Sequence, residues 1–405
     1  MVIVQINITM GVGSTGKIVK DIDKGINSIG DKGYVACMTS NGCISNSIYE
    51  MYPKNFQIKN KENIFISRIT GRMGYRNKNR TRKMLKWIED KEPDIIHLHN
   101  IHGNWLNIKI LFDFIKKKNY AVVWTLHDCW SFTGRCSHFE FFGCDRWKTG
   151  CFGCKQKKVY PITYFFDFSK YMWQDKKLEF TGISNALLVV PSEWLNGYVK
   201  QSYLKEYKSY VVHNCIDIGL FKPTADMSSQ ISGITQKIIL GVASSWSKMK
   251  GLDDFVALDK LIDHSEYVIV LVGLNRRQLK QIPDSIVKIA RTYDQKELAA
   301  MYTQARVFVN LTYQDNFPTT NLEATACGTP VITYKTGGSV ESVFDRDNII
   351  PQGDINAVWK RIQILCGGEK NTIECRAIAE KYFDKSIFVN QYLKLYQTLM
   401  ENKYD

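Results

Sequence analysis

An α/β fold in two domains of parallel sheet is what this sequence predicts, and three observations predict it. The chain has 405 residues and 44% of them are hydrophobic, which is long for one domain and apolar enough for two cores. Its N-terminus runs from a β-branched segment, Val2 to Thr9, through a glycine loop into apolar residues at helical spacing. Far downstream, Ala305 to Glu341 reads as strand, polar loop, helix, strand and glycine loop. Such units bring side chains and free backbone N–H groups to the carboxyl ends of parallel strands, where open α/β sheets bind ligands.

The first strand enters Gly11-Val12-Gly13-Ser14-Thr15-Gly16-Lys17, and Ile18, Ile22, Ile26 and Ile29 then mark a helix. Two phosphate-loop patterns fit, and each lacks a necessary part. For G-x-G-x-x-G, the next strand (Tyr34 to Met38) ends in Thr39-Ser40-Asn41, with no acid for a ribose. For G-x-x-x-x-G-K, Ile18 stands where a magnesium-binding Ser or Thr belongs. Neither a nicotinamide site nor a P-loop is expected, only an anion-accepting helix N-terminus. No apolar run approaches the roughly 18 residues of a membrane span. The N-terminus lacks a basic leader and reads as a strand, so the expectation is a cytosolic protein. Its 11 cysteines then carry no presumption of disulfides.

A net charge of +14 favours an anionic partner: a nucleotide diphosphate, acidic headgroups or nucleic acid. From Asn63 to Ile88 there are eight basic residues and no acid: Arg68, Arg72, Arg76, Lys78, Arg80, Arg82, Lys83 and Lys86. Apolar residues lie among them, so the segment reads either as an anionic-membrane surface or as a solvated face on packed helices. Aromatic interleaving is thin and no recognition motif accompanies it, so nucleic acid is not an expected partner.

Pro93 to His99 and Ala121 to Leu126 read as strands that end in polar residues, the second leading into His127-Asp128. His99 and His102 are either structural turn histidines or, as the family resemblance drawn below implies, acceptor-side residues. Five cysteines fall between Cys129 and Cys154, and the last four read Cys136-x7-Cys144-x6-Cys151-x2-Cys154. Three states are open to them: structural zinc, free buried thiols, or disulfides. Leu187 to Pro191 and Tyr210 to Asn214 complete the strands of this half. The polar segment Thr224 to Gly233 reads as a linker.

In the second half, Lys237 to Val242 is a strand, and Ser244 to Gly251 leads from it into a helix. Tyr267 to Val272 and Val287 to Thr292 follow. After Ala305 to Leu311, Asp315-Asn316-Phe317-Pro318 forms a turn, with Pro318 forbidding helix at the residue before it. Thr319 or Thr320 is expected to cap the next helix, with Glu323 in its first turn. Gly328-Thr329-Pro330 ends it, Val331 to Tyr334 is a strand, and Gly337-Gly338 allow a tight turn. Ile387 to Met400 is an amphipathic helix.

Asp315 and Glu323 are eight positions apart, and with the Gly-Thr-Pro and Gly-Gly elements this stretch resembles the Glu-x7-Glu signature of retaining GT-B glycosyltransferases of family 4. Here Asp315 stands where the family usually has Glu. The segments His97-Leu98-His99-Asn100-Ile101-His102-Gly103 and Thr125-Leu126-His127-Asp128-Cys129-Trp130 resemble family chains from bacterial polysaccharide pathways. The resemblance implies two facing Rossmann-like domains with a central cleft: residues 1–223 plus the C-terminal helix 385–405 for the acceptor, and 234–384 for a nucleotide-sugar. It implies catalytic roles for His127, Asp315 and Lys250. Donor contacts would come from Gly13, Ser14, Lys248, Arg291, Thr292, Asn316, Phe317, Pro318, Thr319, Leu322 and Glu323. Lys250-Gly251 matches the family's diphosphate site, while the partner Arg is missing near Ser245, leaving Lys248 or a hydroxyl to replace it.

The function implied is transfer of a hexose-type sugar, with retention and without metal or cofactor, from a nucleotide-sugar to a glycan or lipid-linked glycan of the cell surface. The place implied is the cytoplasm or the inner face of the membrane. The alternatives are a nucleotide-sugar epimerase of the same fold and, on charge alone, a nucleic-acid-binding protein.

Overall fold

A computed structural model describes residues 1–40, 45–52 and 56–401; Asn41 and residues 402–405 of the expected C-terminal helix lie outside these. The chain divides into two compact units, Met1–Val212 with Val389–Asp405, and His213–Phe388.

The first unit has β1 (Val2–Thr9), β2 (Lys32–Thr39), β3 (Ile48–Glu50), β4 (Ile95–Leu98), β5 (Ala121–Thr125), β6 (Ala186–Val190) and β7 (Lys208–Val211), ordered β3-β2-β1-β4-β5-β6-β7. Every pairing is parallel. Its helices are α1 (Gly13–Ser28), α2 (Phe56–Thr70), α3 (Lys78–Glu89), α4 (Ile108–Lys118), α5 (Ser169–Phe180) and α6 (Glu193–Val199). The glycine loop opens onto α1 as its pattern predicts: Ile18, Ile22 and Ile26 are buried, while Ile29 is exposed just beyond the helix. β4 to β6 are buried on nearly every residue, as strands covered on both faces must be. From Leu126 to Phe168 the chain forms only short 3-10 turns, packed through Trp130, Phe132, Phe139 and Trp147.

The second unit has β8 (Lys237–Val242), β9 (Tyr267–Val272), β10 (Val287–Ile289), β11 (Val307–Asn310), β12 (Val331–Tyr334) and β13 (Ile349–Ile350), in the parallel order β10-β9-β8-β11-β12-β13. Its helices are α7 (Leu252–Asp259), α8 (Gln278–Gln281), α9 (Gln295–Gln304), α10 (Thr319–Ala326), α11 (Ile355–Gly367) and α12 (Thr372–Tyr382). The two faces of the sheet carry separate cores, with Ile239, Leu271 and Val309 on one side and Leu240, Val270 and Phe308 on the other. The last helix, α13 (Lys385–Glu401), starts in this unit and ends in the first.

The division falls at Val212–His213, ahead of the segment Thr224 to Gly233 read as a linker. That segment is polar in composition yet anchored: Ile231 is buried, and Ser228 donates to Glu297 while its N–H bonds Gln304. Phe221, assigned by sequence to the first domain, packs in the core of the second unit.

In both sheets the strand order reverses beside the unit's first strand, between β1 and β4 and between β8 and β11. A crevice opens at the carboxyl ends of such a pair. The residues singled out by sequence sit on the loops there: Gly11 to Ser14 and His99 to His102 in one unit, Ser244 to Gly251 and Thr312 to Pro318 in the other.

Candidate functional site

The second unit holds the more complete site. Its two switch-point loops are tied together: Tyr313 N–H donates to the Met249 carbonyl at 2.8 Å, and Thr312 Oγ1 bonds the same oxygen at 3.3 Å. Glycine is required where they touch. At Gly251, with φ +72°, a Cβ would fall 2.1 Å from the Leu311 carbonyl oxygen. Buried Trp246 pins the first loop, its Nε1 donating to the Val272 carbonyl at 2.8 Å. On this frame Lys250 Nζ meets Asp315 Oδ2 at 2.6 Å, both side chains being partly exposed. Gly337 wraps around the Asp315 backbone, and Gly338 N–H donates to its carbonyl at 3.0 Å.

The loop then enters α10, whose N-cap is Pro318, and no side chain caps it. Neither Thr319 nor Thr320 acts as the expected cap, because both are already helical. Their N–H groups have no intrahelical partner and offer an anion site backed by the helix dipole. Glu323 is the fifth residue of α10 rather than part of its first turn. Its Oε2 accepts from Tyr302 Oη at 3.0 Å, and Tyr302 is wholly buried. Nothing local marks that partner, since Tyr302 lies 21 residues away on α9 and reads as an ordinary core aromatic. Behind α10, Asn321 is fully buried, accepting from Asn310 at 2.8 Å and donating to Ser342 at 2.9 Å. This polar ladder fixes the helix to β11 and to the turn after β12.

Several expected donor contacts change character. Phe317 and Leu322 are buried. The Phe317 ring stacks on His213 with centroids 4.6 Å apart, and Leu322 packs in the core. Neither side chain is therefore open to a ligand, and only backbone remains. Lys248 points to solvent and pairs with Asp253 at 3.6 Å, so it does not stand in for the missing Arg as placed. Arg291 is exposed, and Thr292 partly so, in the loop after β10.

In the first unit Gly13 and Ser14 are exposed at the start of α1, which no side chain caps. The histidines form a buried stack. His97 bonds Tyr396 Oη at 2.6 Å and Thr125 Oγ1 at 2.8 Å, so residues of α13 fix it from far along the chain. The rings of His97 and His99 lie 3.9 Å apart. Gln5 Nε2 donates to the Val19 carbonyl, which turns its Oε1 towards His99 Nε2 at 3.2 Å. His99 Nε2 must then carry the proton, leaving Nδ1 to accept from His127 Nε2 at 3.2 Å. Burial is the main cause that pushes His127 down to about 4, with His102 adding to it against Asp128. His127 is therefore a neutral hydrogen-bonding group at pH 7. His102 bonds Asp128 at 3.1 Å and Tyr160 Oη at 3.1 Å. Burial would raise Asp128, but His102 first, then His138 and the Trp130 N–H, together outweigh it and hold the carboxyl near 2.

Burial also lowers His97 and His99 well below the ordinary histidine range. The unfolded chain takes up protons there near pH 6.5 while the native state refuses them, so stability is full above that pH and falls below it. The loss is roughly 1.4 kcal/mol per pH unit for each such proton. Melting temperature should hold from pH 8 to 7 and drop between pH 6.5 and 5; a flat profile through that window would refute the buried neutral stack.

The four cysteines considered for zinc line one cavity of about 220 Å³, together with Arg135 and Arg146. Among the described residues, however, no three His, Cys, Asp or Glu are arranged to hold a metal ion, and the thiols are free. Burial pushes Cys136 up to about 12 and Cys151 up to about 11, which keeps both protonated. Gly134 N–H donates to Cys151 Sγ at 3.0 Å. As placed, all four are thiols on one cavity, Cys136 and Cys151 buried and Cys144 and Cys154 partly exposed.

Comparison with known proteins agrees with this layout. Residues 51–220 match the family model described as Glycosyltransferase Family 4, and residues 226–382 match Glycosyl transferases group 1. The chain is 46% identical over 74 residues to the putative colanic acid biosynthesis glycosyl transferase WcaC of Escherichia coli, a match spanning 17% of this chain and 18% of that protein. It is 24% identical over 325 residues to an uncharacterized 41.2 kDa protein in the cps region of Klebsiella pneumoniae, covering 78% and 82% of the two. Among solved structures, sucrose-phosphate synthase from Thermosynechococcus elongatus superposes with a TM-score of 0.74 at 18% identity over 99% of both chains. Anabaena HepE in complex with UDP-glucose gives 0.65 at 15% identity over 98% of this chain and all of that one. The fold is GT-B. Among the described residues, no helix is long and apolar enough to cross a membrane.

Proposed function

We propose, from the premise that this chain belongs to the family 4 and group 1 glycosyltransferases, that it moves a sugar with retention from a nucleotide-sugar to a glycan or lipid-linked glycan of a surface polysaccharide. One observation carries the donor assignment. Lys250 is tied to the loop that leads into an uncapped helix, and a carboxylate held by a buried tyrosine lies on that same helix. A nucleoside diphosphate has the complementary pattern: an anion for the cation and the N–H groups, and two ribose hydroxyls for Glu323. The complex of HepE with UDP-glucose supports a nucleotide-sugar donor. The colanic acid and cps relatives support a polysaccharide acceptor.

Retention by front-face attack needs no protein nucleophile, and the chemistry asked of this chain is electrostatic. Lys250 and the α10 N–H groups neutralise charge on the leaving diphosphate. His127, neutral and tautomerically fixed, accepts a hydrogen bond from a sugar hydroxyl, and Asp315 borders the donor sugar. The transfer uses no metal in this scheme.

The test is thermal stability against UDP-, GDP- and ADP-sugars. A cognate donor at 100 times its dissociation constant stabilises by about 2.7 kcal/mol, and product analysis with an acceptor glycan follows. No shift with any nucleotide-sugar rejects the donor site. Isomerised donor appearing without acceptor selects the epimerase instead.

A further inference from the structure

The exposed apolar side chains of the first unit are concentrated in one place. Tyr160, Ile162, Tyr164, Phe165, Phe166 and Tyr171 are all exposed within a dozen residues. Tyr164, Phe165 and Phe166 are consecutive, with 56%, 69% and 55% of their surface open. The same segment carries exposed Lys155, Lys157, Lys158 and Lys170 and a single acid, Asp167. That acid is already engaged, accepting from the N–H groups of Cys154 at 2.6 Å and Ser169 at 3.0 Å.

The loop is held in this pose rather than hanging free. Tyr164 N–H donates to the Arg68 carbonyl at 2.8 Å, and Thr163 Oγ1 bonds the same oxygen at 3.1 Å. At Gly71 (φ +67°) a Cβ would lie 3.0 Å from the Phe166 carbonyl, so the loop closes directly on the end of α2. The adjoining surface is basic. An open cavity of about 580 Å³ there is lined by Arg72, Arg76, Lys78, Arg82 and Lys109, against one acid, Asp113. Not all of the basic run takes part: Arg80 turns inward, its Nη1 donating to the Met51 carbonyl and its guanidinium stacking over Tyr52.

Aromatic side chains pinned outward within a field of cations are costly in water and match one surface well. Rings settle at the headgroup level of a bilayer while lysine and arginine meet its phosphates. We propose that this face, the Lys155–Tyr171 loop with the end of α2 and the basic cavity beside it, docks the protein on an anionic lipid bilayer. The base of the loop reaches the candidate acceptor residues, since Tyr160 Oη lies 3.1 Å from His102 Nδ1. Docking would thus bring a lipid-borne substrate to the His102–Asp128 pair. The proposal rests on surface chemistry and stands whether or not the donor assignment holds.

The test is co-sedimentation of the full chain with vesicles of phosphatidylcholine mixed with phosphatidylglycerol, and with pure phosphatidylcholine. Binding is expected to the mixed vesicles alone and to fall as salt rises. Phe165→Ser with Phe166→Ser should lower the partition about tenfold or more. Lys155, Lys157 and Lys158 changed to Gln should lower it about fivefold per lysine and flatten the salt dependence. All five positions are exposed, so melting temperature and nucleotide binding should stay as in the unaltered chain. A Phe165→Trp variant should lose more fluorescence to brominated lipid than the unaltered chain, whose nine tryptophans set the baseline. No binding to mixed vesicles at low salt, equal binding by the serine variant, or no added quenching in the Phe165→Trp variant would each overturn the proposal. So would equal binding to both vesicle types, which would show that anionic headgroups play no part.

Discussion

Changing Glu323 to Ala is expected to weaken binding of the nucleoside diphosphate by about 100-fold or more while leaving the fold intact. Glu323 is partly exposed and packs no core, so its removal opens no cavity. What is lost is the acceptor for two adjacent ribose hydroxyls, each charge-assisted bond being worth roughly 1.5–3 kcal/mol. The loss should appear equally with the free diphosphate and with the nucleotide-sugar, because both carry the ribose. Tyr302→Phe gives a graded control. It removes the hydroxyl that holds the carboxylate at 3.0 Å but leaves the ring in the core, so binding should fall less than in Glu323→Ala. Calorimetry on both variants decides the matter. Wild-type affinity in Glu323→Ala would remove the donor site from this stretch altogether.

How much of this was open to reading depended on the range of the forces involved. Local ones were legible: the glycine turn into α1, the strand before Asp315, the Pro318 boundary of α10, and Gly337-Gly338 as a turn. Each follows from backbone constraints within a few residues. What stayed hidden is long-range. His97 bonds Tyr396 across 299 residues, and nothing in either neighbourhood marks the pair. Tyr302 and Asn321 read as helix residues of no particular role, because their partners are fixed by the packing of α9, α10 and β11. Composition also misled. Thr224 to Gly233 is polar yet anchored in the second unit, since Ser228 and Gln230 spend their polar groups on Glu297. The resemblance carried Phe317 and Leu322 into the donor list because motif positions do not separate a backbone contact from a side-chain one.

Lys250→Ala is expected to act on turnover more than on affinity. In the unliganded site its ammonium is paired with Asp315 at 2.6 Å, so a diphosphate must draw it away from a carboxylate already in place. Binding the ground state therefore gains little net energy from this lysine, for an exchange of one anionic partner for another is nearly balanced. Negative charge on the diphosphate then grows as the glycosidic bond breaks, and the lysine attracts that increment in full. Only the second effect lowers the barrier. Loss of such a preorganised group costs on the order of 100- to 1000-fold in turnover. One complication has a clean control: removing Lys250 also leaves Asp315 as an unpaired anion beside the diphosphate, which would weaken binding by repulsion. Asp315→Asn in the Lys250→Ala background removes that repulsion and should recover affinity for the diphosphate, while turnover stays low because the cation is still missing. Single-turnover rates and calorimetry on the single and double variants separate the two terms. If the double variant recovers turnover along with affinity, Lys250 serves only to neutralise Asp315, and charge stabilisation of the leaving group must come from the α10 N–H groups alone.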